Sequence, residues 1–318
     1  PGIFVNAFLL YLIKRFSRRE LGGYKYLLAI FATYDIFLIV MHAVIDLRAV
    51  ISDDLFGVIS FNFLDTSLFT SLYGACFMVP FSLLNIHFLY RYWVIRSPHM
   101  VILFTKFAFI FLLITCVSTI TTIWFCICEF GLDTSEEGYF EASLKLASKF
   151  NRSSIDGWFV FQRDGAISLR SIGTLLSYDV IMVIMCAISI NLAIRTFLEI
   201  RAAKTISFSD RTSQLRILFT VCVQTAVPFL FVYCPFLCFF NLSLFGFRTP
   251  TFAADAAPYI HSIFPMLDAL VIILLMKDYR NGARFLLFGA RNERVICVAN
   301  TTYSSQSSDA ISARPTHF

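Results

Sequence analysis

Apolar residues gather along this chain in seven runs, and most of the lysines and arginines fall in alternate gaps between them. Tyr26–Leu47 shows the pattern most plainly: across 22 residues, Asp35, His42 and Asp46 are the only acidic or imidazole side chains, and there is no lysine or arginine. A helix rises ~1.5 Å per residue, so about 20 residues cross a ~30 Å hydrocarbon core. The same reasoning predicts spans over Thr66–Tyr90, Phe107–Ile127, Thr174–Ile194, Ile217–Asn241 and Pro258–Met276. Gly2–Ile13 supplies about 12 apolar residues before Lys14-Arg15, too few to cross. It lacks the basic n-region and small-residue cleavage site of a signal peptide. It reads as the inner half of a first helix whose beginning is missing.

Composition supports a bilayer as the solvent. The chain is 58% hydrophobic and only 15% charged, with a mean hydropathy of +0.74, whereas a soluble domain carries about 25% charged residues. Aromatics make up 17%, including 37 phenylalanines, more than a water-exposed surface could hide. No basic run alternates with aromatics on a polar face, so nucleic acid is excluded as a partner. The cysteines show no metal-ligand spacing; Cys126 and Cys128 are the closest pair, with no second pair nearby. No cofactor motif appears.

The charge distribution predicts orientation. Segments 14–25, 91–106, 195–216 and 277–318 hold 19 lysines and arginines; segments 48–65, 128–173 and 242–257 hold 7. Basic segments stay in the cytoplasm, so the N-terminus is expected outside and the C-terminus inside. The fold expected is an all-α seven-helix membrane bundle over 1–276. A cytoplasmic amphipathic segment follows over 277–300, opening with a short helix on the inner membrane surface. A disordered tail follows over 301–318, its Thr301–Ser312 stretch rich in hydroxyls. The long connection Cys128–Gly173 is the one sizeable polar insert on the outer face and reads as a lid over an outward cavity. It carries an Asn151-Arg152-Ser153 glycosylation triplet.

Polar residues inside the spans stand out by depth. Asn6 lies eight residues from Lys14, Asp35 ten from Lys25, Gln224 eight from Arg216 and Asp268 nine from Lys277. All four therefore sit about 12–15 Å from the cytoplasmic face. A carboxylate in hydrocarbon is costly, so it should face the bundle interior and find partners there. Asn6, Asp35 and Asp268 are expected to share a polar cluster with water or a cation, either rearranging on activation or serving as a static packing network.

Local motifs then narrow the class. The third span ends Phe81-Ser-Leu-Leu-Asn-Ile-His-Phe-Leu-Tyr-Arg-Tyr-Trp93, and the second begins after Leu21-Gly-Gly-Tyr-Lys-Tyr-Leu-Leu28. The sixth carries Gln224-Thr-Ala-Val-Pro228 and then Pro235. The seventh reads Phe264-Pro-Met-Leu-Asp268, with Asp278-Tyr-Arg280 beyond. Together these resemble the nematode serpentine chemoreceptors of the class r (Str) group, which includes a diacetyl odorant receptor. The resemblance covers essentially the whole chain. It implies a G-protein-coupled receptor of sensory neurons, in the plasma membrane and the sensory cilia, that detects a small odorant or soluble cue and activates a heterotrimeric G protein. Two departures accompany it. Asp268-Ala269 stands where these receptors often have Asp-Pro. The outer end of the third span lacks the cysteine that rhodopsin-like receptors bridge to an outer loop, and Cys76 lies too deep to replace it, so no such disulfide is expected.

The resemblance also implies roles. Arg91 is similar to the arginine of the rhodopsin-like Asp-Arg-Tyr motif, with Tyr90 in place of the acid, so no adjacent ionic lock can form. His87 lies one turn earlier on Arg91's face. Pro228, about 12 residues from Arg216, is expected to kink the sixth helix so that its inner half can swing. For the ligand, the outer half offers Phe69, Tyr73 and Phe77 on the third span, with Tyr73 ~27 Å from Arg91. Asp179 on the fifth, Phe229 and Tyr233 beyond Pro228, and Tyr259 and His261 on the seventh complete an aromatic pocket with a few polar groups. The competing reading is a ligand-gated channel or a proton- or cation-coupled transporter using the intramembrane carboxylates. An odd helix count and the absence of paired broken helices weigh against it. No nucleophile or metal constellation supports an enzyme.

Overall fold

The computed structural model describes residues 1–18, 21–52, 55–60, 66–131, 144, 157–163, 166–167, 169–203, 208–235, 237–238, 241 and 251–289. Asn151 and the 301–318 tail lie outside these residues. Among the described residues, five helices are long and apolar enough to cross a membrane, and a bent pair makes a sixth. The helices are α1 Gly2–Phe16, α2 Tyr24–Ile45, α3 Ser67–Cys76, α4 Met78–Arg96, α5 Phe107–Gly131, α6 Leu169–Ala202, α7 Phe208–Pro228, α8 Thr251–Leu275 and α9 Lys277–Phe288. At 15 residues, α1 is shorter than a hydrocarbon core requires, but it packs along α2 and α8. Helix α5 buries only Trp124 and Cys128, so most of its surface faces away from the bundle.

The third span is one 30-residue run, Ser67–Arg96, interrupted at Phe77. The cause is Pro80, which has no N–H to offer the Cys76 carbonyl one turn back. Tyr34 of α2 donates to that carbonyl at 2.8 Å. Tyr233, in the π-helical turn Phe229–Tyr233 that follows Pro228, donates to the adjacent Phe77 carbonyl at 3.0 Å. The break is thus stitched to two neighbouring helices. Satisfying freed carbonyls this way is what makes a proline tolerable in a membrane helix.

The expectation of an all-α chain is corrected by a four-stranded antiparallel sheet. Its strands are β1 Leu47–Ser52, β2 Leu55–Ser60, β3 Gly157–Arg163 and β4 Ala166–Ile167, in that order. Asp46 ends α2 with φ 47°, in the left-handed region, and turns the chain directly into β1. Val58 of β2 pairs with Trp158 of β3, so the connection read as a polar insert forms sheet with the connection after α2. The sheet closes one end of the bundle. The other end carries Lys14, Lys25, Arg91, Arg96 and α9, and is called here the basic end.

Buried apolar side chains form two clusters. One, toward the sheet, centres on Leu38, Phe81, Trp124, Tyr178, Val232 and Phe264. The other, toward the basic end, centres on Leu9, Leu28, Phe88, Val221 and Ile272. Between them along each helix lies a polar residue: Asp35 on α2, Asn85 on α4, Ser189 on α6, Gln224 on α7 and Asp268 on α8. The core is therefore split by a polar layer.

Candidate functional site

Three features sit along the bundle axis: a cavity under the sheet, the polar layer and a buried arginine at the basic end. The cavity holds about 90 Å³. Thr70, Tyr73 and Gly74 of α3 and Phe77 at the break line it at helical spacing i, i+3, i+4, i+7. Trp124 and Cys128 close one side, Val232, Tyr233 and His261 another, and Leu47 and Val58 bring the sheet over the top. Among the described residues, no Asp, Glu, Lys or Arg lines it. Its polar groups are hydroxyls and imidazole: Tyr73 shares a 2.7 Å hydrogen bond with His42, while Ser71 Oγ and His261 Nε2 are buried without a partner among the described residues.

Of the residues expected to form this site, Tyr73, Phe77, Tyr233 and His261 line the cavity and Phe69, Asp179, Phe229 and Tyr259 do not. Tyr259 is 72% exposed and Phe229 lies on the outer flank of its turn. Asp179 accepts a hydrogen bond from Asn241 at 3.4 Å, while its neighbour Tyr178 turns inward and stacks 4.6 Å from Trp124. Thr70, Gly74 and Trp124 were missed. Taking Phe69, Tyr73 and Phe77 at spacing i, i+4, i+8 drifts off the face that Thr70 and Gly74 occupy.

In the polar layer, Asn6, Asp35, Gln224 and Asp268 are all at most 1% exposed. Asn6 Nδ2 donates to the Pro265 carbonyl of α8 at 3.0 Å. The Asp35 carboxyl lies within electrostatic reach of that of Asp268. All four oxygens of these two carboxyls, and both polar atoms of Gln224, have no hydrogen-bond partner among the described residues. A buried carboxyl that meets no donor is costly, so the pair demands a proton, a cation or water. Asn85, not singled out beforehand, accepts from Ser189 Oγ at 2.8 Å and links α4 to α6 in the same layer.

At the basic end Arg91 is 3% exposed and pairs with no carboxylate among the described residues. Its guanidinium stands 3.6 Å from the centroid of Tyr24, the first residue of α2. Such a contact contributes about 2 kcal/mol when desolvated. The penalty for burying an ion is several kcal/mol, so the cage only partly offsets it. His87 meets the same Tyr24 ring edge-on at 5.4 Å, and Tyr90 lies 5.8 Å away. Tyr279 of α9 lies within electrostatic reach of the guanidinium; burial pushes its phenol up to about 12, and its hydroxyl pairs with Ser17 at 2.9 Å.

The family model described as "Serpentine type 7TM GPCR chemoreceptor Str" matches residues 2–284, from α1 to the middle of α9. The chain belongs to this family. The serpentine receptor class r-10 of Caenorhabditis elegans is 25% identical over 303 residues, covering 91% of this chain and 88% of that protein. The serpentine receptor class r-10 of Caenorhabditis briggsae is 24% identical over 314 residues, covering 94% and 90%. A serpentine chemoreceptor is a multi-pass membrane protein and a receptor rather than an enzyme. The match extends through every element that carries the cavity, the polar layer and Arg91.

Proposed function

We propose that this serpentine receptor is a chemosensory G-protein-coupled receptor of the plasma membrane, sited in sensory cilia. Its N-terminus and sheet face outward and its basic end faces the cytoplasm. The observation that carries the reading is the cavity beneath the sheet. It is small, aromatic and uncharged, with a few hydroxyl and imidazole groups, which suits a small neutral odorant or soluble cue. An apolar cavity of ~150 Å³ holds one benzene ring, so a cavity of about 90 Å³ takes a ligand of only a few heavy atoms.

The cavity walls suggest how occupancy is transmitted. Phe77 marks the helix break and Tyr233 bonds to it. A ligand pressing on this pair shifts the π-helical turn against Pro228, where the sixth span has lost a backbone donor. The inner half of α7 then swings, the Asn6–Asp35–Asp268 layer rearranges with Gln224 beside it, and Arg91 with His87 is exposed to a heterotrimeric G protein. Pro228→Ala restores that donor and straightens the turn; maximal signalling should fall about fivefold or more, with ligand binding little changed.

The test is heterologous expression of the full-length receptor with a G-protein readout, screened against small volatiles and water-soluble metabolites. A Cβ on Gly74 meets only the Cys128 sulfur, at 3.8 Å, so Gly74→Ala is tolerated, whereas Gly74→Leu fills the cavity. Gly74→Leu should reduce sensitivity to any hit by about tenfold or more while surface delivery holds. Current that persists without G-protein function would defeat the reading in favour of a channel. Antibody access to a C-terminal tag on intact cells would defeat the orientation.

A further inference from the structure

The arginine at the basic end is held without an acid, and the elements that hold it also have their own fastenings. Tyr24 stands over the guanidinium at 3.6 Å, and Tyr90 on α4 and Tyr279 on α9 lie within its electrostatic reach. Arg91 Nε and Nη2 have no hydrogen-bond partner among the described residues, so the Tyr24 ring covers the cation without saturating it. Helix α9 is fastened over this cage at three points. Tyr279 pairs with Ser17, and Arg18 forms a 2.8 Å ion pair with Asp278. Gly282 lies so close to Phe16 that an added Cβ would stand 2.7 Å from its ring. Helix α9 turns 95° from the Tyr259–Leu275 helix, which brings it across the end of α1.

We propose that Tyr24 and Tyr279 are positioning residues that cage Arg91 in the silent state, with α9 and the Ser17–Arg18 segment acting as an autoinhibitory clasp. This rests on the G-protein reading above. A cation held against an aromatic face, with no carboxylate partner among the described residues, is poised to leave for any water or acceptor that the basic end admits. The clasp therefore sets basal activity. Loosening it releases Arg91 without ligand.

The test uses the full-length receptor in ligand-free membranes, reading nucleotide exchange on an added purified heterotrimeric G protein. Arg18→Glu and Asp278→Arg each break the ion pair and should raise basal exchange by about twofold to fivefold. The double variant Arg18→Glu/Asp278→Arg should return to the parent level. Tyr279→Phe keeps the ring and loses only the Ser17 bond, so it should raise exchange with the fold intact. Single variants that leave exchange unchanged, or a double variant no lower than the singles, overturn the clasp. Independently, thermal midpoints of purified Tyr24→Leu, Arg91→Leu and the double variant should be non-additive. Additive midpoints overturn the cage. Non-additive midpoints with no exchange in any variant overturn the clasp and place the failure in the G-protein reading rather than in the cage.

Discussion

Arg91→Leu should silence the receptor while leaving it folded, and deliver it to the surface at or above the parent level. Ordinary core substitutions do the opposite. Arg91 is buried among tyrosines with no carboxylate partner among the described residues. Replacing buried ionic groups by apolar residues of similar size is often neutral or stabilising, by about 1–4 kcal/mol. In the proposed active state the same guanidinium meets acceptors on the G protein, and losing such a contact costs about 2–5 kcal/mol. Evoked signalling should therefore fall about 30-fold or more. Surface immunolabelling and a concentration–response curve on the same cells check both halves. A silent receptor that also fails to reach the surface would contradict the argument, because the arginine would then be a structural necessity.

Asp35→Asn and Asp268→Asn should each preserve expression and shift signalling by about tenfold. The carboxyls interact across α2 and α8, and neither meets a donor among the described residues. An amide brings its own N–H groups and no charge, so either variant relieves the conflict and biases the layer toward one arrangement. The static alternative, a layer that only packs, predicts unchanged concentration–response curves. Parallel assays of surface delivery and evoked response separate the two, and Asp35→Asn/Asp268→Asn tests whether one relief makes the second redundant.

The spans were legible because hydropathy over about 20 residues is a strong, local signal, and α2 and α5 match it closely. The sheet was not. Leu47–Ser52 abuts an apolar helix with no break in hydropathy, and the divide is a single left-handed Asp46. Gly157–Arg163 lay in a stretch whose overall polarity hid a short apolar strand. Depth arithmetic from the basic ends set Asp35 and Asp268 at one level, and the two buried carboxyls lie within electrostatic reach of each other. The cavity was half legible. Pro80 resets the helix at Phe77, and only the structure reveals that Thr70 and Gly74 share the face of Tyr73. Asp179 lies off the cavity because its neighbour Tyr178, one residue earlier, takes the inward position against Trp124. Tyr24, which covers Arg91, comes from a different helix, and no spacing within the chain announces such a meeting.

Helix α5 leaves most of its surface outside the bundle and buries only Trp124 and Cys128. In a bilayer that outward face would meet acyl chains, with Trp124 on the opposite, buried side. Micelles that strip those chains would loosen this rod first, so nanodiscs are the safer vehicle for handling the protein outside the cell.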